Sequence, residues 1–305
     1  MAPSSSAPSR PEIGAGPPRR RRGCSGCVLT LLTALAVLGT ALAACILLSL
    51  VVGPQTILVL GTDRRPGETG PVRSDTLLLV AIRPETPKVA LLSIPRDLYL
   101  DIPGYGQNRV NTALFFGGPA LAKQTIAANF GVPVDRWVQV DFSGFRALVD
   151  AAGGVDIDVP RRIVDNAYPT ENYGTMRIEI PAGHQHMDGE TALRYVRTRH
   201  DASDFERAAR QQQVVLALAK RLLEPSAWPR WPQVAIAFNQ AVETDVRPWD
   251  VLLIMPALVR VGPDGIRHYV ISEEMTTPFT TRDGAQVLLP RWERIRPLVQ
   301  EAMGQ

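Results

Sequence analysis

Acidic and basic side chains recur together at three points of the chain. Asp63 and Arg65 follow the apolar run Ile57–Leu60, Arg73 and Asp75 precede Thr76–Ile82, and Arg96 and Asp97 follow Val89–Ile94. A fourth group holds Arg197 and Arg199, then Asp204, Arg207 and Gln211. Carboxylates are hard oxygen ligands, so Asp63 and Asp75 together suit Mg²⁺. Guanidiniums offer phosphate oxygens a planar two-pronged donor. The combination suits a diphosphate with its metal, where catalysis is mostly positioning and charge neutralisation. Taken singly, each charge also reads as the solvated end of a strand. Asp204 alone reads as a favourable charge at a helix start.

Only particular elements bring these groups together. The three apolar runs are rich in β-branched residues and read as buried strands. Arg83–Lys88 is a short turn, so the second and third runs pair antiparallel. In an antiparallel meander, Asp63, Arg65, Arg73, Asp75, Arg96 and Asp97 gather at one end of the sheet. Helices are expected over Gly118–Phe130, Phe142–Ala152, Asp188–Tyr195 and Asp204–Leu223, then Val234–Val242, Trp249–Val261 and Pro290–Met303. Further strands are expected at Val155–Val159, Met176–Ile180 and Ile266–Ile271. Arg197 and Arg199, two apart in an extended segment, would share a face. The capping box Ser203–Glu206 opens the next helix, whose N–H groups form a natural anion site. His184 and His186 read as ordinary hydrogen-bonding histidines. The chain contains neither G-x-S-x-G nor a P-loop, which leaves a serine hydrolase or an NTPase little support.

Composition narrows the class. The 305 residues are 45% hydrophobic and 21% charged, which supports a buried core and argues against wholesale disorder. The net charge of +3 is uneven: residues 1–27 hold five Arg against Glu12, whereas the rest holds 28 basic and 29 acidic side chains. A DNA-coating body is not supported, and no nucleic-acid partner is expected. Cys24, Cys27 and Cys45 are the only cysteines, so the body beyond residue 45 has no thiol nucleophile. Val28–Val52 is a run of 25 residues without a charge, long enough to span a bilayer. Arg19–Arg22 precede it and place the N-terminus in the cytoplasm. Leu42–Cys45 resembles a lipoprotein cleavage box, but Ile46–Val52 stays apolar after it, which favours an uncleaved anchor. The expected organisation is a basic tail (1–27), one transmembrane helix (28–52) and one extracellular α/β domain (53–305).

The same segments resemble the LytR–CpsA–Psr family of cell-wall phosphotransferases. The resemblance rests on GTDRR (61–65), VRSDTLLLV (72–80), LLSIPRDLYLDIPGYG (91–106), RVNTALFFGG (109–118), VDFSGFRALVDAAGGVDIDVP (140–160), GHQHMDGETALRYVRTRH (183–200) and DFERAARQQQ (204–213). It is strongest over 55–223. It implies an α/β/α sandwich on a mixed, largely antiparallel sheet, with an apolar tunnel beside a charged mouth. It also implies transfer of a glycopolymer from undecaprenyl pyrophosphate onto peptidoglycan, with Mg²⁺ or Mn²⁺, at the cell membrane. By resemblance Asp63 and Asp75 are metal ligands. Arg73, Arg96, Arg197, Arg199 and Asp204 are catalytic, and Arg65, Asp97, Arg207 and Gln211 contact substrate. A regulatory envelope protein of the transcriptional-attenuator label and a polyprenyl-pyrophosphate hydrolase remain alternatives. The family resemblance itself does not name the base that activates the acceptor.

Overall fold

Burial alternates residue by residue along QTILVLGT, with Thr56, Leu58, Leu60 and Thr62 on the buried side. That period of two is the mark of a strand with one face in a core. A computed structural model describes residues 53–305 apart from 65–69, 84, 86–87, 171–173, 199–203, 263–264 and 305, together with seven residues between 30 and 40. The basic tail and most of the expected transmembrane helix lie outside the described residues. Among the described residues no helix is long and apolar enough to cross a membrane. The chain divides into Met1–Ala44 and Cys45–Gln305, and the second unit carries the fold.

Its first half runs β1 (Gln55–Thr62), β2 (Ser74–Arg83), β3 (Lys88–Ile94), β4 (Tyr99–Ile102), β5 (Gly106–Arg109), α1 (Thr112–Phe130), β6 (Arg136–Asp141), α2 (Phe142–Ala152) and β7 (Val155–Val159). Its second half runs β8 (Ile163–Pro169), β9 (Thr175–Ile180), β10 (Gly183–Met187), α3 (Gly189–Arg197), α4 (Asp204–Leu223), α5 (Trp231–Ala241), β11 (Val242–Thr244), α6 (Pro248–Val261), β12 (Ile266–Val270), β13 (Thr276–Thr280), β14 (Gln286–Pro290) and α7 (Trp292–Met303).

The central sheet is mixed, in the order β11-β6-β1-β2-β3-β12. β1, β2 and β3 form the expected antiparallel meander, while β6 and β12 join it parallel to β1 and β3. Helices cover both faces. On one, Leu58, Leu60, Leu79 and Leu92 pack with α1, α7 and β4. On the other, Leu78, Ile82, Val89 and Leu91 pack with Ile254 of α6 and with Val215 and Leu216 of α4. A third cluster joins α2, α3 and α4 through Val149, Leu193, Tyr195 and Val214.

Three expectations need correction. Arg197 is not in an extended segment: it closes α3, whose last turn holds Arg194 and Arg197. Cations there complement the carbonyl end of a helix. The helix expected from Gly118 begins at Thr112 and kinks at Gly117–Gly118, where Gly118 takes φ 67°. Pro119 then restarts the helix from a position that needs no N–H. Val242 is not the end of a helix but the start of edge strand β11, paired with Val140.

Leu92 is fully buried in β3, facing α1 and α7. Leu92→Ala should lower stability by about 3 kcal/mol, through lost transfer energy and the cavity left behind. Denaturant midpoints measure this, and a loss below about 1 kcal/mol would contradict the packing described.

Candidate active site

Thr62 and Ser74 are cross-strand partners at the last pair of the β1–β2 ladder. The residues that follow and precede the two strands therefore share one edge. Asp63 leaves β1 there, Asp75 is the second residue of β2, and Arg96 and Asp97 lie just beyond β3, whose Ile94 pairs with Leu77. Asp141, at the end of β6, sits beside Thr62. The meander thus collects the charged connections at one end of the sheet, as the connection lengths require.

Arg96 is held from two sides. Its Nη1 donates to Asp75 Oδ1 at 2.6 Å, and its Nε donates to Asp97 Oδ2 at 3.4 Å. Asp97 also faces Arg109 Nε at 3.5 Å. Arg197 reaches the edge from the end of α3. Its Nη2 lies 3.7 Å from Asp63 Oδ1, and its Nη1 donates to the carbonyl of Pro169 at 3.2 Å. The guanidinium stacks over Phe142 at 4.6 Å and Tyr168 at 5.6 Å. Burial pushes the Tyr168 phenol pKa up, and Arg197 partly offsets this. Arg207 is buried in the first turns of α4 with Gln211 nearby, and both line the same cavity as Asp63, Asp75 and Arg197. Arg73 is brought to the edge but not into that cavity: it stacks over Phe115 at 5.8 Å. Arg65, Arg199 and the side chain of Asp204 lie outside the described residues.

Beneath the charged mouth is a cavity of about 620 Å³. Val59, Leu78, Val140, Phe142, Phe145, Leu193, Val196 and Val215 give it apolar walls. An ordinary core contains few voids larger than a water, so this volume belongs to the class of ligand pockets. Its polar groups cluster at the sheet edge, where Asp63, Asp75, Arg197, Arg207 and Gln211 meet. The arrangement offers anion-binding guanidiniums at one end and apolar surface at the other.

Two buried hydroxyls sit in the midst of this edge with no hydrogen-bond partner among the described residues. Thr62 Oγ1 and Ser74 Oγ are the side-chain oxygens of the Thr62–Ser74 pair, at 1% and 0% exposure. An unmet buried hydroxyl is unfavourable and points to a missing partner. With the carboxylates of Asp63 and Asp75 in the adjoining positions, the donor set is all oxygen, which fits a hard divalent cation.

Sequence reasoning missed Asp165. It is 4% exposed, lines the cavity, and accepts from Thr198 Oγ1 at 2.7 Å and from the Ala167 N–H at 2.9 Å. Thr198 caps α3 directly after Arg197, and Arg210 of α4 donates to the Thr198 carbonyl at 3.4 Å and the Tyr195 carbonyl at 3.2 Å. Burial pushes the Arg210 pKa below the ordinary arginine value. Asp165, Thr198 and Arg210 thereby fix the end of α3 and the direction of Arg197. His184 and His186 pair across strands with Asp158 and Asp156, at 3.2 and 2.8 Å, away from this edge.

A mixed sheet with helices on both faces thus carries an Arg/Asp edge over an apolar cavity. The chain belongs to the LytR_cpsA_psr family, whose model matches residues 46–296. The match reaches well past residue 223 and takes in α5, α6 and part of α7. Regulatory protein MsrR of Staphylococcus aureus is 34% identical over 197 residues, 64% of this chain and 57% of that protein. The polyisoprenyl-teichoic acid–peptidoglycan teichoic acid transferase TagU of Oceanobacillus iheyensis is 34% identical over 198 residues, 62% of this chain and 58% of that protein. The chain thus spans less than two thirds of the length of these curated relatives. The crystal structure of B. subtilis TagV superposes with a TM-score of 0.68 at 27% identity, covering 83% of this chain and 98% of that one. TagT bound to LIIa-WTA superposes with a TM-score of 0.67 at 24% identity, covering 83% and 92%, which shows the shared fold.

The Thr198–Asp165 bond generates a stability prediction. Thr198→Val removes the buried donor and leaves Asp165 under-satisfied, at a cost of about 1–3 kcal/mol. Thr198→Ser keeps the hydroxyl and should lose less. Equal denaturation midpoints for both variants and the parent would contradict the latch.

Proposed function

We propose that this chain is a membrane-anchored phosphotransferase of cell-wall assembly. It moves a glycopolymer from a polyprenyl pyrophosphate, undecaprenyl in length, onto peptidoglycan. The observation that carries this reading is the joining of an Arg/Asp edge to an apolar cavity of about 620 Å³. A lipid diphosphate has the same two parts in the same order. The name of the TagU relative, a polyisoprenyl-teichoic acid–peptidoglycan transferase, supports the substrate class. The uncharged run Val28–Val52 with Arg19–Arg22 before it supports an anchor whose C-terminal domain is extracellular.

The apolar walls take up the first isoprene units, each buried CH₂-sized group contributing about 0.8 kcal/mol. Arg197 and Arg207 meet the diphosphate where the apolar walls end. Arg96 is held by Asp75 and Asp97 until an anion offers it better partners. Asp63 and Asp75, with the hydroxyls of Thr62 and Ser74 beside them, would hold Mg²⁺ or Mn²⁺. When bound, that ion supplies charge neutralisation on the diphosphate. An acceptor hydroxyl of peptidoglycan then forms a bond to the phosphorus that carries the glycopolymer. The bond from that phosphorus to the bridging oxygen breaks, and polyprenyl phosphate leaves, the acceptor's proton passing to it or to solvent. Guanidiniums fixed around the bridging and terminal oxygens stabilise the charge that develops there. Arg197 is rigid in this role, because Phe142, Tyr168 and the Pro169 carbonyl fix its plane. Arg65, Arg73, Arg199 and Asp204 complete the substrate-facing set on this reading. The name of the MsrR relative favours a second, regulatory reading, in which the same site binds the lipid without turnover.

The test is transfer by the full chain in vesicles, supplied with Mg²⁺, a polyprenyl-pyrophosphate-linked glycopolymer and peptidoglycan fragments. A phosphodiester-linked adduct is expected. Arg96→Lys and Arg197→Lys keep the charge but lose the planar fork, and each should slow transfer about a hundredfold, or ~3 kcal/mol. Arg282→Lys, in an exposed turn, should transfer at the parent rate. Release of the polymer phosphate without an adduct would make the chain a hydrolase. Parent rates in both clamp variants would remove the edge from the mechanism.

A further inference from the structure

α6 is an unusual helix for a surface position. Its sequence, PWDVLLIMPALVRV, holds only two charges, Asp250 and Arg260. Ile254, Leu258 and Val261 turn inward onto Ile82 and Val89. Yet Trp249 is 59% exposed, Val251 45% and Val259 58%. A surface helix normally carries polar residues where these apolar ones stand.

Its position in the fold says what such a face could meet. Asp250, in its first turn, accepts from Arg136 Nε at 2.9 Å, and Arg136 opens β6 opposite Ile57 of β1. At its other end the chain passes from Val261 to Ile266, which opens β12 opposite Val89 of β3. Both ends of α6 therefore lie at the edge where β1 and β3 begin, opposite the Arg/Asp edge. β6 and β12 stand four strand spacings apart, about 19 Å. The 14 residues of α6 extend about 21 Å. The helix thus lies across the strands, along the edge from which β1 starts.

That edge is also where the chain arrives from the uncharged run. Gly53 and Pro54 alone separate Val52 from Gln55. The three Cα–Cα steps from Val52 to Gln55 reach about 11 Å at most. A run that spans the bilayer and ends at Val52 therefore holds this edge against the headgroups. Arg83 and Lys88, paired at the β2–β3 turn, lie on the same edge, with Arg247 and Arg260 at the two ends of α6. The turn contributes one described acid, Glu85, while Asp135, Asp245 and Asp250 at this edge are engaged by the Thr56 N–H, Lys123 and Arg136, respectively. Tryptophan with a basic rim is the composition of a surface that rests in an anionic membrane interface.

We propose that the outer face of α6, with Trp249 in its first turn, docks on the anionic lipid surface beside the anchor. This inference rests on the anchor reading and not on the transferase chemistry.

The full chain, reconstituted in vesicles of phosphatidylglycerol and phosphatidylcholine, tests it by tryptophan quenching with phosphatidylcholine brominated on its acyl chains. Flotation with the vesicles is scored first. A chain that fails to float removes the anchor and the docking face together. In the floating protein, bromolipid should quench part of the emission. Trp249→Phe should lose most of that quenching, and Trp228→Phe, which removes another exposed tryptophan, should keep it. Val259→Asp, which leaves every tryptophan in place, should also reduce it. Quenching that follows Trp228, or is unchanged in Trp249→Phe, overturns the docking face alone. So does a blue-shifted Trp249 that bromolipid does not reach, the result expected if a second copy of the chain covers α6.

Discussion

Everything at the site depends on the antiparallel register of β1, β2 and β3. Pairing Thr62 with Ser74 and Leu77 with Ile94 forces three separate connections onto one edge. Each connection brings its own carboxylate or guanidinium. A slip of one residue would also turn Leu58 and Leu60 from the α1–α7 core to the opposite face. The buried apolar surface thus fixes the register, and the register fixes the charges. Chemistry and stability are coupled through the same backbone hydrogen bonds.

The two faces of the sheet divide the labour. One is filled end to end by α1, α7 and β4. The other is filled only at the end where β1 and β3 begin, by α6 and part of α4. Toward the Arg/Asp edge that face gives way to the cavity, closed on its far side by α2 and α3. The charged mouth is the open end of an incompletely packed layer. Like charges there are kept in place by local partners: Arg96 between Asp75 and Asp97, and Arg197 between Asp63 and two aromatic rings. On the proposed reading, an arriving diphosphate would exchange these contacts for stronger bidentate ones.

The meander was legible because its strands are short, apolar and joined by recognisable turns, and with it came the convergence of Asp63, Asp75, Arg96 and Asp97. Less visible were features set by tertiary packing. Arg197 was expected in an extended segment, but Asp165 and Arg210, remote in sequence, hold α3 helical through to it. Asp165 sits in IVDNAYP, an ordinary-looking edge hairpin strand, and nothing local marks it as buried. Thr62 and Ser74 stand next to the two aspartates in GTD and RSD, yet only the ladder shows them as cross-strand partners. The three-residue strand β11 carries too few residues for a period to be read. α6 was visible as a helix, but its lie across the strand ends follows from the partners of Arg136 and Ile266.

The central claim is that one site holds a lipid by its chain and its diphosphate at once. Mass spectrometry of the lipid that copurifies with the full chain tests this most directly. The account predicts a polyprenyl phosphate or diphosphate with the parent protein. It predicts sharply less with Phe145→Asp, which places a charge on the cavity wall, and with Arg197→Ala, which removes a guanidinium at its mouth. Losing the lipid in only one of the two variants would separate chain from headgroup and contradict a shared site. A parent protein that carries only membrane phospholipids, in equal amount in both variants, would contradict the account as a whole.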